Sequence, residues 1–252
     1  MTSFIESKFT TKAEYDKWVM AGGQATAGGD LTVYYWPMFG RAGAILRMLE
    51  HTSTSYTLKS EFGDIASMGS AFGAHGDTFA PPIVKDGAYI ISQSTACLFY
   101  IGKKCGLTKN MDECKAMQYV TDIVDTFEGG ISKAAEQGGT ALKAFLEGDG
   151  KGPSRFAKLM GNIERSIKGP FYFGEEPTIV DFFLCAHGDW QQETLLNRLE
   201  AQTSTNVFAP YPKVLRVLAA MRGMPAYKNY KGPLKTLRDG FAAKDEVFAA
   251  YK

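Results

Sequence analysis

Between residues 31 and 92, short apolar runs alternate with breaks marked by glycine and proline; beyond residue 112, apolar positions recur every three or four residues. The first pattern predicts strands and the second predicts helices. Residues 31–35 (LTVYY) form a β-rich run of strand length, closed by the loop Trp36-Pro37-Met38-Phe39-Gly40. Residues 41–51 follow as a helix with Ile45, Leu46, Met48 and Leu49 on one face. Tyr56-Thr57-Leu58 is a weaker second strand. Residues 61–79 are glycine-rich and irregular, a long loop with room for one helical turn. Ile83-Val84 and Tyr89-Ile90-Ile91 flank Lys85-Asp86-Gly87, which predicts a hairpin with an Asp-Gly turn. Helical spacing resumes over residues 94–104.

A right-handed crossover makes the first two strands parallel, and the hairpin makes the last two antiparallel. The expected fold is therefore a small mixed four-stranded α/β domain, followed by an all-α bundle. Helices are predicted over residues 115–135, 140–147, 154–167, 179–198, 211–221 and 225–230. The two halves, residues 31–107 and 112–252, meet near residues 107–112. Residues 1–30 stand apart as an extension, with a short helix over residues 10–20 carrying Tyr15, Trp18 and Val19, and then a linker (AGGQATAGGD). No internal repeat is visible.

Composition narrows the function. The chain has 252 residues, with 28 Lys plus Arg against 27 Asp plus Glu. That balance supplies no field for a polyanion, so nucleic acid is not an expected partner. No apolar run approaches the ~20 residues that cross a bilayer, and no membrane is expected. The first residues, MTSFIESK, lack the features of a secretion signal, and the acids Glu6, Glu14 and Asp16 argue against a transit peptide. A cytoplasmic protein is expected. Cys97, Cys105, Cys114 and Cys185 never fall at C-x-x-C spacing, and His51, His75 and His187 form no H-x-x-x-H pair. No metal is expected, and a His-based triad is a weak starting point.

Four motifs then occur in order across roughly residues 31–230. Val33-Tyr34-Tyr35-Trp36-Pro37-Met38-Phe39-Gly40-Arg41-Ala42 leads into Ile45-Leu46-Arg47-Met48-Leu49. Pro82-Ile83-Val84-Lys85-Asp86-Gly87, Ile91-Ser92-Gln93-Ser94-Thr95-Ala96 and Thr178-Ile179-Val180-Asp181 complete the set. Together the segment resembles the cytosolic glutathione transferases, most closely their tyrosine-type classes (mu, pi, sigma), with a thioredoxin-like first domain. Any one motif is weak, because a P-x-x-x-D-G hairpin occurs widely; the series in order is specific.

The resemblance implies a chemistry that the residues can support. A tyrosine at the end of the first strand, just before a helix, can aim its hydroxyl at a bound thiol. A thiol of pKa near ~8.5 is mostly protonated at neutral pH, and a donated hydrogen bond and the helix dipole both favour its anion. The phenol, with a pKa near ~10, does this as a neutral donor. Tyr34 and Tyr35 lie on opposite faces of the strand, and the family spacing Y-[WF]-x-x-x-G-R selects Tyr35; the bland alternative is an ordinary strand aromatic. By resemblance Trp36 contacts glutathione and Arg41 orders the site, although Arg41 could be a structural helix-start residue. Met38 and Phe39 would face a hydrophobic electrophile or serve only in packing. Gln93 and Ser94 would meet the γ-glutamyl carboxylate at a helix N-terminus, where Ser94 could also cap. Asp125 is placed to reach the ligand's ammonium in a neighbouring subunit; a solvated helix acid is the alternative and Asp122 a rival. The electrophile pocket is expected from the first loop, the helices around Phe127 and Ile131, and the tail, residues 241–251.

Two departures stand out. Pro82 would be the family's cis proline, but the residue before it is Pro81, which has no N–H to offer the cysteinyl unit. The missing neutral bond costs ~0.5–1.5 kcal/mol, roughly threefold to tenfold in affinity. The family's Trp and Lys for the glycine carboxylate are absent from residues 61–79; Lys59 lies just before and His75 within. The aromatic dimer key falls at Thr78, with Phe79 one place away. The resemblance implies a homodimer using glutathione as co-substrate. A glutathione-dependent isomerase or synthase, or a non-catalytic ligand-binding or structural protein, are the alternatives. A Tyr35 ring tucked into the interior, with no route for a tripeptide to its oxygen, would overturn the whole reading.

Overall fold

Four strands form one sheet in the order β2-β1-β3-β4, with β1 at Leu31–Tyr34, β2 at Thr57–Lys59, β3 at Ile83–Asp86 and β4 at Tyr89–Ser92. The computed structural model describes residues 30–228 and 245–251. The expected helix at residues 10–20, the linker as far as residue 29, Tyr230 and residues 241–244 lie outside the described residues. β1 runs parallel to β2 and antiparallel to β3, and β3 is antiparallel to β4. The parallel pair needs a crossover, which α1 (Gly43–His51) provides after a 3-10 turn at Gly40–Ala42. Its apolar face, with Ile45, Leu46, Met48 and Leu49, is buried. Asp86 pairs with Tyr89, so the turn residues are Gly87 and Ala88, not Asp-Gly. The positive φ of Gly87 (58°) is what draws the turn one place along.

Residues 61–79 hold more order than expected: α2 (Phe62–Ala66) and a 3-10 turn at Ser70–Phe72. α3 spans Ser94–Lys104. The remainder of the described chain is helical: α4 (Glu113–Thr126), α5 (Lys133–Glu136), α6 (Gly139–Glu147), α7 (Arg155–Ser166), α8 (Ile179–Gln191), α9 (Asn197–Thr203), α10 (Pro212–Gly223), α11 (Pro225–Lys228) and α12 (Asp245–Phe248). The helices expected over residues 115–135 and 179–198 each contain a π-turn, at Phe127–Ser132 and Gln192–Leu196. Gly130 permits the first, because a Cβ there would run into the Phe145 ring and the Asp125 carbonyl.

α8 is the axis of the structure, buried along nearly its whole length. α1 and α4 pack against it. Arg47 of α1, itself buried, donates from Nη1 to Asp189 of α8 at 2.8 Å. Its guanidinium lies 4.2 Å from the centre of the Phe39 ring and 3.9 Å from that of Tyr227. The N-terminus of α8 is closed by a capping box. The Asp181 carboxylate accepts the Thr178 N–H at 2.8 Å and the Tyr172 N–H at 2.9 Å, as the S/T-x-x-D/E spacing predicts. Burial raises the Asp181 carboxyl to about 6, against the pull of those donors. Asp181→Ala leaves buried N–H groups without acceptors and is expected to cost ~1–3 kcal/mol. Thermal and urea unfolding check this, with Asp181→Asn losing less.

Candidate functional site

Three motif residues come together through strand register alone. Tyr34 pairs with Ile83, and Ile83 with Ser92. One step further along each ladder, Tyr35, Pro82 and Gln93 stand in a row at the same end of the sheet. The Pro81–Pro82 bond is cis, and both prolines are buried. The Pro82 carbonyl accepts the Cys97 thiol at 3.5 Å. Gln93 sits at the N-cap of α3 with φ +76°, an uncommon value for a residue other than glycine, and makes no side-chain capping bond. Ser94 is the first helical residue and does not cap, so the α3 N-terminus keeps N–H groups that no side chain covers.

Tyr35 is tucked inward, 1% exposed. Its oxygen accepts the Arg41 N–H at 2.7 Å, in the turn that opens α1. Burial pushes the hydroxyl well above its ordinary value, opposed by the Arg41 charge and the N–H groups of Arg41 and Ala42. The group is thus a neutral phenol that accepts on its oxygen, and among the described residues none takes its proton. Gly40 closes over it: with φ +36°, a Cβ there would lie 2.5 Å from the Tyr35 oxygen and 2.7 Å from Cε of Met38. The expectation of an open hydroxyl is corrected, because the site is shut in this conformation.

Arg41 is held by a residue that sequence reasoning missed. Its Nη2 lies 2.8 Å from Oε2 of Glu128, in the first π-turn. The other oxygen of Glu128 receives His187 Nε2 at 2.9 Å, and His187 Nδ1 faces the Phe183 carbonyl at 3.0 Å. Burial alone would raise the Glu128 carboxyl; His187 and Arg41 together outweigh it and hold it below its usual range. A second rung, Gln191 Nε2 to Ser132 Oγ at 2.6 Å, lies one turn further on. Both rungs span 59 residues, so the two segments run parallel here. No local signal could have found it, because the partners lie 59 residues apart in the chain.

The remaining expected residues are placed as follows. Trp36 is buried and meets the Phe72 ring edge-on at 5.9 Å. Met38 fills the core and Phe39 stacks on Arg47, so both serve in packing instead of facing open space. Phe127 and Ile131 lie on the first π-turn and are fully buried. Asp122 is bound by Asn162 at 2.8 Å, whereas Asp125 is exposed. Lys59 pairs with Asp64 at 3.5 Å, and His75 is exposed. Thr78 is buried, its hydroxyl donating to the Met68 carbonyl, while Phe79 is 59% exposed. A cavity of about 250 Å³ opens in the helical half, walled by Leu146, Phe156, Leu199, Val207, Tyr211 and Tyr251. Of the segments expected to form the electrophile pocket, only the tail reaches it, through Tyr251, among the described residues.

The sequence matches no protein-family model and no curated relative. The fold does have solved counterparts. The chain superposes on a Pi-class glutathione S-transferase from Onchocerca volvulus with a TM-score of 0.60 at 17% identity, covering 80% of this chain and 92% of that one. Rat hPGDS, solved in complex with a quinoline, gives 0.61 at 17% identity over 83% and 100% of the two chains. A glutathione S-transferase from Actinobacillus pleuropneumoniae gives 0.58 at 16% over 86% and 99%. The fold is that of these proteins: a four-stranded thioredoxin-like unit followed by a helical one.

Gly40→Ala places a methyl group against the Tyr35 oxygen and puts an L-residue at positive φ. It is expected to lower stability by ~1–3 kcal/mol. Unfolding curves check the loss, and loss of the Arg41 amide's protection from exchange shows that the bond to Tyr35 has opened.

Proposed function

We propose that this protein is a glutathione transferase, in which Tyr35 stabilises the thiolate of glutathione for attack on a hydrophobic electrophile. The observation that carries this reading is the Tyr35 hydroxyl, whose oxygen accepts the Arg41 N–H while its own proton has no acceptor among the described residues. Sulfur supplies that acceptor. Accepting an N–H polarises the O–H, and the neutral phenol then favours the anionic form of the thiol. Since Gly40 and Met38 enclose the oxygen, the 36–40 segment swings aside when the tripeptide enters.

The remainder of the ligand follows the sheet end. The γ-glutamyl carboxylate takes the uncapped start of α3 with Ser94 and Gln93, and Asp125 of a second subunit meets the ammonium. The cysteinyl unit lies along Pro81–Pro82, receiving only an acceptor, with Trp36 and Arg41 lining the same loop. Four free cysteines suit a reducing compartment, so we place the protein in the cytoplasm. No helix among the described residues is long and apolar enough to cross a membrane.

A non-catalytic ligand-binding protein on the same fold is the second reading, favoured by the enclosed Tyr35 and the missing Pro81 donor. Calorimetry with glutathione and turnover of an aryl halide separate the two. The transferase is expected to bind and turn over, with Tyr35→Phe lowering kcat about tenfold to a hundredfold. Equal rates in both proteins would remove the mechanism, and millimolar or weaker binding without turnover would establish the second reading.

We also propose a homodimer, in which the exposed Phe79 (59%) is buried by the partner, with Met117 (44%) on α4 beside the same seam. Sedimentation is expected to give a dimer for the wild type and a shift toward monomer for Phe79→Asp.

A further inference from the structure

His187 lies at 1% exposure in the centre of the helical half, among the rings of Phe127, Phe183 and Trp190. Both of its ring nitrogens face oxygen acceptors: the Glu128 carboxylate at 2.9 Å and the Phe183 carbonyl at 3.0 Å. The ring is thus held at both ends, which fixes its orientation against Glu128.

The two carboxylate oxygens are divided between two halves of the protein. Oε1 is fixed by His187 on the buried axis α8, and Oε2 is offered to Arg41 on the first loop. The Arg41 side chain is 39% exposed, so alone it would hold its loop weakly. Anchored through Glu128 to the buried His187 ring, it has a fixed place, and its backbone N–H is thereby aimed at the Tyr35 oxygen. The Gln191–Ser132 rung holds the π-turn that presents Glu128.

We infer that His187 is a positioning residue for the thiol site, acting through Glu128 on Arg41 and through the Arg41 N–H on Tyr35. This rests on the reading of Tyr35 given above. It adds an element that the sheet-end motifs do not contain: the site is tuned from the buried axis of the helical unit, by a residue that never touches the ligand.

The test uses the full chain and two variants, His187→Leu and His187→Gln; the second keeps an N–H for Glu128. Exchange of the Arg41 amide is expected to quicken about tenfold in His187→Leu and less in His187→Gln. With glutathione and an aryl halide, kcat is expected to fall about tenfold in His187→Leu while KM for glutathione moves less than about threefold, with partial rescue in His187→Gln. If the Leu variant does not fold, the same readings on His187→Gln and Glu128→Gln decide. Unchanged Arg41 exchange in folded variants overturns the inference. A wild type that neither binds nor turns over glutathione, with Arg41 exchange still responding to His187, instead removes the transferase reading and leaves the positioning intact.

Discussion

One carboxylate, Glu128, is held on both oxygens at once, by Arg41 and by His187, and the geometry of the first loop depends on it. A buried carboxylate is costly on its own; paired on both oxygens it stays charged and becomes a fixed point. From that point Arg41 is held, and from Arg41 the N–H that engages Tyr35. The loop's other support comes from packing: Gly40 leaves no room for a side chain over the Tyr35 oxygen, and Met38 closes the remaining space.

The second joint between the halves uses the same physics with different parts. Arg47 crosses from α1 to Asp189 of α8 and is sandwiched between the Phe39 and Tyr227 rings. Planar guanidinium suits this place, because it can stack on aromatic faces while its edge donates to a carboxylate. Both joints converge on α8. Its capping box fixes where that helix starts, and so fixes where His187 and Asp189 lie along it.

The fold and half of the site were legible because their signals are local. The strand at β1, the Pro-started hairpin, the Ser94 helix start and the Thr178–Asp181 box are each set by residues within a few positions of one another. The order of the strands then follows from handedness, and Tyr35, Pro82 and Gln93 fall into line by register. The other half was not legible. Glu128 meets His187 across 59 residues, and no local pattern marks the π-turn at Phe127–Ser132 that carries Glu128. Met38 and Phe39 show the same limit: adjacent apolar residues in a loop carry no label for which is buried and which stacks on an arginine.

The sequence by itself determined the element order and the mixed sheet, since alternation and handedness are short-range rules; it was the family resemblance that pointed to Tyr35 and to a cis Pro82. Only the tertiary structure decided that Tyr35 is enclosed, that Glu128 is shared by Arg41 and His187, and that a second cation crosses to Asp189. Those depend on how two helical surfaces and a loop close on each other. Close packing of distant segments is where a buried charge finds its partner, and a linear pattern does not record it.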